Sequence, residues 1–420
     1  MTNHQQYAND LARNAREASF ELSQLSTSLK NQWLKSAAEK LEKATETIVA
    51  ENRKDLENGK HLGLGKAQLD RLELTPKRLF AMTNSMREIA FMEDPVGRIL
   101  HGGLRPNGLQ INKVGVPLGV IFFIFESRPN VTTDAAALSL KSGNAIILRG
   151  GKEAIQTNCL VVEILRQELR ACGITENAIQ LVSRTDREVV GHLLKNGELI
   201  DLAIPRGGEE LIRRVSQEAT MPVMKHYHGN CHVYVEESAC HKMALEIILN
   251  SKCQRPGVCN AAESILVDKK IASTFIPELS AALSKGNVEI RGCGSSLAIL
   301  PSLLAATEED FRTEYLDLIV SLKVVDDIHH AIRHINHYGS KHTDVIVTQN
   351  LEKACQFTKQ VDSSAVVVNA SSRFNDGGQI GLGAEIGIST DKFHARGPCG
   401  LNELTSYKYV IMGNGQIRPE

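Results

Sequence analysis

The sequence has no surplus of either charge: 48 Lys and Arg against 49 Asp and Glu leave a formal net charge of -1. Binding to nucleic acid draws on a basic excess gathered on one face, so no such partner is expected. A long apolar run is also missing. The longest, Val114–Phe125, is broken by Gly115, Pro117 and Gly119, and it falls well short of the roughly 20 residues of a spanning helix. Membrane insertion is therefore not expected. The start of the chain carries Asp10, Arg13, Arg16 and Glu17 in place of a charged-then-apolar leader, which predicts a cytoplasmic protein. No CxxC occurs, and the nine cysteines, an odd number, are scattered from Cys159 to Cys399. That excludes a zinc ribbon and argues for reduced thiols over a disulfide framework. Fixed-period repeats and low-complexity segments are absent as well.

What is present reads as a globular protein of two or three domains, given 420 residues, 42% hydrophobic and 23% charged. Residues 5–95 carry apolar side chains at three- and four-residue steps (Trp33, Leu34, Ala37, Leu41, Ile48), which predicts helices. Around Asn107-Gly108 two short extended runs predict a β-hairpin arm over 99–113. From Val120–Phe125 onward, apolar strands alternate with helices of about ten residues, the pattern of a parallel sheet covered on both faces. A second unit of the same texture begins near 235 and ends in a strand over Ser406–Met412. The fold class expected is α/β, with ligands at the carboxyl ends of the strands.

Four segments could carry chemistry. Cys259 follows the sharp Pro256-Gly257 turn, and neighbouring Lys252 and Arg255 would favour its thiolate, the nucleophilic form. Cys253 competes on the same grounds. Asn130 follows the first apolar strand and could donate to an oxyanion, or could simply cap a helix. Arg149-Gly150-Gly151-Lys152 and Arg206-Gly207-Gly208 each combine a strand end, two glycines and a cation, which suits a phosphate. Neither is a GxGxxG or Walker A loop; two at successive strand ends favour a dinucleotide. His226, His228, Cys231 and His232 invite a metal reading. On a strand, however, His226 and His228 would point the same way while Cys231 and His232 would point oppositely, and no second Cys–His group with zinc-finger spacing completes the set, so no metal is expected.

Taken together, Phe125–Asn130, Ser142–Glu153, Ile204–Gly208, Gln254-Arg-Pro-Gly-Val-Cys-Asn260, Glu314-Tyr315, Ala395–Pro398 and Leu404–Tyr409 resemble the aldehyde dehydrogenase superfamily over essentially the whole chain. The resemblance is to its acyl-phosphate-reducing branch, in which the Gln254–Asn260 motif is specific. It implies an enzyme: Cys259 attacks L-glutamyl 5-phosphate, NADPH reduces the thioester, and L-glutamate 5-semialdehyde leaves, a step of proline biosynthesis. It implies catalytic roles for Cys259 and Asn130, and cofactor contacts from Arg149, Gly150, Gly151, Lys152, Arg206, Gly207, Gly208 and Glu314. Arg255, Arg396 and Ser127 are its candidate substrate contacts. Most of the superfamily has Glu-Leu-Gly-Gly, with a water-activating Glu, where this chain has Tyr227-His-Gly-Asn230. Water at the thioester would waste the intermediate, so the missing carboxylate fits reduction. An oxidising aldehyde dehydrogenase, or a non-catalytic protein of this fold, is the alternative.

The resemblance further implies a Rossmann-type NADP-binding domain over 1–98 and 117–235 and a catalytic domain over 236–403. The remaining 99–116 and 404–420 would form an oligomerisation arm and terminal strand. A homo-oligomer, at least a dimer, is expected, its arm and terminal strand pairing between subunits. The upstream glutamate kinase is a candidate partner.

Overall fold

The computed structural model describes residues 2–126 and 128–418; the expected substrate contact Ser127 lies outside them. The chain forms two compact units. One comprises Met1–Lys225, Gly381–Gly387 and Cys399–Glu420, the other His226–Ile380 and Ile388–Pro398.

The first unit opens with five helices, Asn3–Leu22, Thr27–Lys43, Thr45–His61, Lys66–Leu72 and Pro76–Phe91. Local chemistry sets their starts. The Ser26 side chain accepts from the Leu29 N–H, and Thr75 accepts from Arg78 with Pro76 in the first turn, so otherwise orphaned backbone donors are satisfied. Trp33, Leu34, Ala37 and Leu41 are fully buried along one helix face. Behind the helices lies a four-stranded parallel sheet in the order Ile179–Leu181, Ala145–Arg149, Val120–Phe125, Leu202–Arg206. All six residues of Val120–Phe125 are buried, as a central strand covered on both faces requires. Two strands of this sheet end on arginines, Arg149 and Arg206.

The hairpin expected around Asn107-Gly108 is present, with Ile99–Leu104 antiparallel to Gln110–Pro117 and Gly108 at a φ of 84°. The arm and the terminal strand were expected to pair between subunits; within the chain they pair with each other. Thr405–Met412 pairs antiparallel with Gln110–Pro117 along its whole length, making a three-stranded sheet. Eight residues of regular pairing supply its backbone partners locally.

In the second unit, seven parallel strands run in the order Leu304–Ala305, Glu289–Gly292, Ile319–Val325, Ala262–Asp268, Cys231–Val235, Thr343–Val347, Ala365–Val368. Side-chain alternation divides its core in two. Val233, Val235, Ile265 and Val267 pack with Ala244, Ile248, Phe275 and Leu279 of the helices His241–Cys253 and Lys269–Lys285. Tyr234, Leu266 and Ile346 pack with Ile332 and Phe357 of Ile328–Tyr338 and Leu351–Gln360. The strand Glu289–Gly292 and its edge partner were not foreseen, being too short for a periodic signal. No helix among the described residues is long and apolar enough to cross a membrane.

Candidate active site

Cys259 lies in the second unit, in the loop between the helix His241–Cys253 and the strand Ala262–Asp268. The loop is clamped from two sides. The Cys231 thiol donates to the Cys259 carbonyl over 3.1 Å, and Gly229 packs so tightly that a Cβ there would stand 1.9 Å from the same oxygen. Next door, the Asn260 amide donates to the Asn375 carbonyl over 3.0 Å, and the Ser372 hydroxyl donates to the Asn260 carbonyl over 2.6 Å. Segment 371–375 therefore fixes the loop's far side. Cys253, the competitor, is the last residue of its helix and packs against the core. Burial pushes its thiol up, which disfavours a nucleophilic thiolate.

The expected thiolate-stabilising role of Lys252 is corrected. Its ammonium is fully buried and lies 2.6 Å from the equally buried Glu263 carboxylate. An ammonium so held serves its partner first. Arg255 is exposed. The cation the sequence reading missed is Arg373: its Nε donates to Gln254 Oε1 over 2.8 Å, and its guanidinium feels the charges of both Cys259 and Arg255. Its segment, Ser371–Asn375, gave no signal because a single arginine before a Gly-rich stretch has no periodicity to read.

The segment 226–230, expected on a strand, is a loop ahead of the strand Cys231–Val235. The opposed-face geometry therefore does not apply. His226 joins Cys259 and His342, with one donor atom from each lying within 4.8 Å of the others. His228 and Cys231 are not part of this group, and buried His232 instead binds Asp344, Nδ1 to Oδ1 at 3.0 Å. Cys231 is held as a thiol well above its usual range by burial and by the charges of Asp344 and Cys259. His342 could not have been found from the sequence, since it stands alone more than eighty residues from Cys259 and only the sheet brings them together.

Glu314 is half-buried, and burial raises its carboxyl although the Gly229 N–H donates to it. Its loop is pinned on either side. The Tyr315 hydroxyl donates to Asp310 over 2.9 Å, and the Leu316 N–H reaches Glu263 at 3.4 Å. Leu316 takes a φ of 54°, an unfavourable conformation for a branched side chain that such anchoring maintains. Burial lifts Glu263 to about 7 against the pull of Lys252. Arg396 also lies in this unit, engaged by the Asp362 carboxylate at 2.9 Å and its carbonyl at 3.0 Å.

The other candidates belong to the first unit. Arg149 ends its strand and turns back, donating to the Gly150 carbonyl over 2.7 Å. Gly150 and Gly151 are required by packing: a Cβ would meet Asn158 at 2.1 Å and Glu153 at 2.0 Å. Lys152 is exposed beside them. The second loop departs from the phosphate-cradle expectation. The Glu126 carboxylate accepts from the Gly208 N–H over 3.1 Å and would lie 2.5 Å from a Cβ on Gly207. An internal anion already occupies one of the donors that a phosphate would use.

Asn130 is the first residue of the helix Asn130–Lys141, with Pro129 as the capping residue, so it does not act as the cap. Its side chain instead pairs with Asp134 one turn on, which Ser85 also contacts. Burial raises Asp134 to about 6. A carboxyl raised in the folded state contributes stability below its ordinary value of 3.8, and that contribution is lost as pH climbs through about 6. Asp134→Asn should flatten this dependence. Between about pH 4 and about pH 7, wild type should lose roughly 1–3 kcal/mol relative to the variant in denaturant melts. Parallel curves would place Asp134 in water.

The comparisons agree with one another. The profile of the aldehyde dehydrogenase family matches residues 2–292. The gamma-glutamyl phosphate reductase of Rhodopirellula baltica is 56% identical over 409 residues, 97% of this chain and 94% of that protein. That of Halothermothrix orenii is 51% identical over 97% of each. The crystal structure of gamma-glutamyl phosphate reductase from Thermotoga maritima, 45% identical, superposes with a TM-score of 0.97 over 98% of this chain and 100% of that one. The chain therefore belongs to the aldehyde dehydrogenase family and, within it, to the gamma-glutamyl phosphate reductases.

Proposed function

We propose that this chain reduces L-glutamyl 5-phosphate to L-glutamate 5-semialdehyde and phosphate through a thioester on Cys259, with NADPH as reductant, in proline biosynthesis. The observation that carries the reading is the setting of Cys259. Its loop is clamped, Arg373 lies within electrostatic reach of it, and the segment packed on it offers two imidazoles and no carboxylate to activate water. Cys259 displaces phosphate from the acyl carbon, a step covalent catalysis makes accessible. Arg373 and Arg255 are the cations nearest in kind to what the leaving phosphate and the substrate carboxylate require. In this reading Asn130, oriented by Asp134, donates to the oxyanion. The deciding experiment is oxidation of L-glutamate 5-semialdehyde with NADP, with and without inorganic phosphate. Strict dependence on phosphate is expected; equal rates in its absence would mean an oxidising enzyme that hydrolyses the thioester.

The family binds a nicotinamide cofactor, and the first-unit loop fits one. It offers two cations, Arg149 and Lys152, and two glycines with no room for a Cβ. When bound, the cofactor supplies the hydride. Arg149 and Lys152 would hold its 2′-phosphate, and Glu314 its nicotinamide ribose. With Glu126 on the Gly208 N–H, the Arg206-Gly207-Gly208 loop would contribute less than the sequence suggests. Arg149→Ala should weaken NADPH binding by about tenfold or more while sparing NADH, since a charged hydrogen bond is worth about 1.5–3 kcal/mol. Equal losses in a fluorescence titration of the two cofactors would make Arg149 structural.

The three-stranded sheet supports an assembly of like chains. Ile99, Leu100, Leu104, Tyr407, Tyr409, Ile411 and Met412 are all exposed on it, and an apolar surface of that extent, with two open strand edges, calls for cover. A second copy of the chain is the proposed cover. Light scattering should show at least a dimer, and Tyr409→Lys with Ile411→Lys should convert it to monomer. A double variant of native mass would place the interface elsewhere.

A further inference from the structure

We propose that His226, Cys259 and His342 form a binding site for a thiophilic divalent cation, zinc above all, which would seal the thiol. The three donor atoms lie within 4.8 Å of one another. Tetrahedral zinc with Zn–S near 2.3 Å and Zn–N near 2.0–2.1 Å needs donors about 3.3–3.6 Å apart, so closure by about 1 Å suffices, within reach of side-chain rotation.

One imidazole is already oriented as a ligand is, and the other is held in place beside it. His226 Nδ1 stands 3.2 Å from the Ile388 carbonyl. A carbonyl only accepts, so Nδ1 carries the proton and Nε2 keeps its lone pair, the arrangement common among metal-binding histidines. The buried His342 ring is held by Thr343 Oγ1 at 2.7 Å, and that oxygen accepts from the Asn375 amide at 2.7 Å. Cys259 would bind as thiolate, releasing its proton to solvent. Cys231, though close, remains a protonated thiol hydrogen-bonded to the Cys259 carbonyl and is not a fourth ligand. That position stays open to water. One thiolate and two imidazoles select zinc over magnesium or calcium, which prefer oxygen.

The site stands on this geometry alone; only its effect on turnover rests on Cys259 being the nucleophile. The full chain, reduced with a phosphine, is dialysed against Zn²⁺, with Co²⁺ as the spectroscopic probe. One equivalent should bind, with a thiolate-to-cobalt charge-transfer band that vanishes in Cys259→Ser. His226→Ala should weaken binding roughly 100-fold, since even the outer partner of a ligand is worth about 10–100-fold. Because His342 is buried, His226→Ala carries the test of the imidazoles. Undiminished binding in both variants, or a cobalt spectrum without the band, overturns the site. Zinc should also stop turnover reversibly, with chelator restoring it and magnesium without effect. Binding as described with turnover untouched would uphold the site and remove Cys259 from the reaction.

Discussion

Replacing Cys259 with serine should lower turnover by roughly a thousandfold or more, as loss of a catalytic nucleophile does. The serine hydroxyl is essentially un-ionised at neutral pH, so the first covalent step loses its nucleophile while the shape of the loop is kept. The clamps on this loop use main-chain groups of Cys259 and neighbouring side chains, so folding and cofactor binding should survive. Steady-state rates, with a thermal melt and a cofactor titration on the same preparation, make the check. Activity above a few per cent would refute the assignment. Cys253→Ser is the control. Its sulfur lies against Gly286 and the core, so a modest loss of stability and near-normal turnover are expected.

Breaking the Lys252–Glu263 pair should be the most damaging change to stability in the second unit. Both side chains are fully buried and 2.6 Å apart. Glu263→Gln leaves an ammonium in the core without its counter-charge, at a cost of about 3–5 kcal/mol. Glutamine also has one acceptor oxygen where Lys252 and the Leu316 N–H now use two, so the loop bearing Glu314 should loosen and cofactor affinity fall. Urea unfolding followed by fluorescence measures the first effect. The double variant Lys252→Met with Glu263→Leu should recover much of the loss, because no unpaired charge is left behind. If Glu263→Gln unfolds at the wild-type midpoint, the pair is not buried in solution. If the double variant is as unstable as the single one, packing and not charge explains the damage.

Much of this protein was legible without coordinates. Val120–Phe125 announces itself as a buried central strand because six consecutive apolar residues suit only a strand covered on both faces. Asn107-Gly108 marks its hairpin because glycine accepts the positive φ that the turn requires at Gly108. The Gln254–Asn260 motif points to Cys259 and to the family. These signals are local: propensity, periodicity and turn chemistry act over a few neighbours, so a short window of residues contains them whole.

The rest is a matter of who meets whom across the fold. Lys252 reads as an ally of Cys259 seven residues on, yet a helix end turns it to Glu263. Glu126 reads as part of a strand-end motif, yet adjacency of Val120–Phe125 and Leu202–Arg206 in one sheet carries it to the Gly208 N–H. The terminal strand has no nearby partner in sequence and finds one nearly three hundred residues back, in the hairpin arm. His342 reaches the neighbourhood of Cys259 because parallel strands align their starts, and Arg373 because the segment 371–375 folds back onto the Asn260 loop. The sequence by itself determined most of the elements, the parallel-sheet class and the reactive loop, since these depend on residues close along the chain. Tertiary structure alone decided which charges neutralise one another and which imidazoles face the thiol. Those pairings depend on strand order and register, which no local window contains.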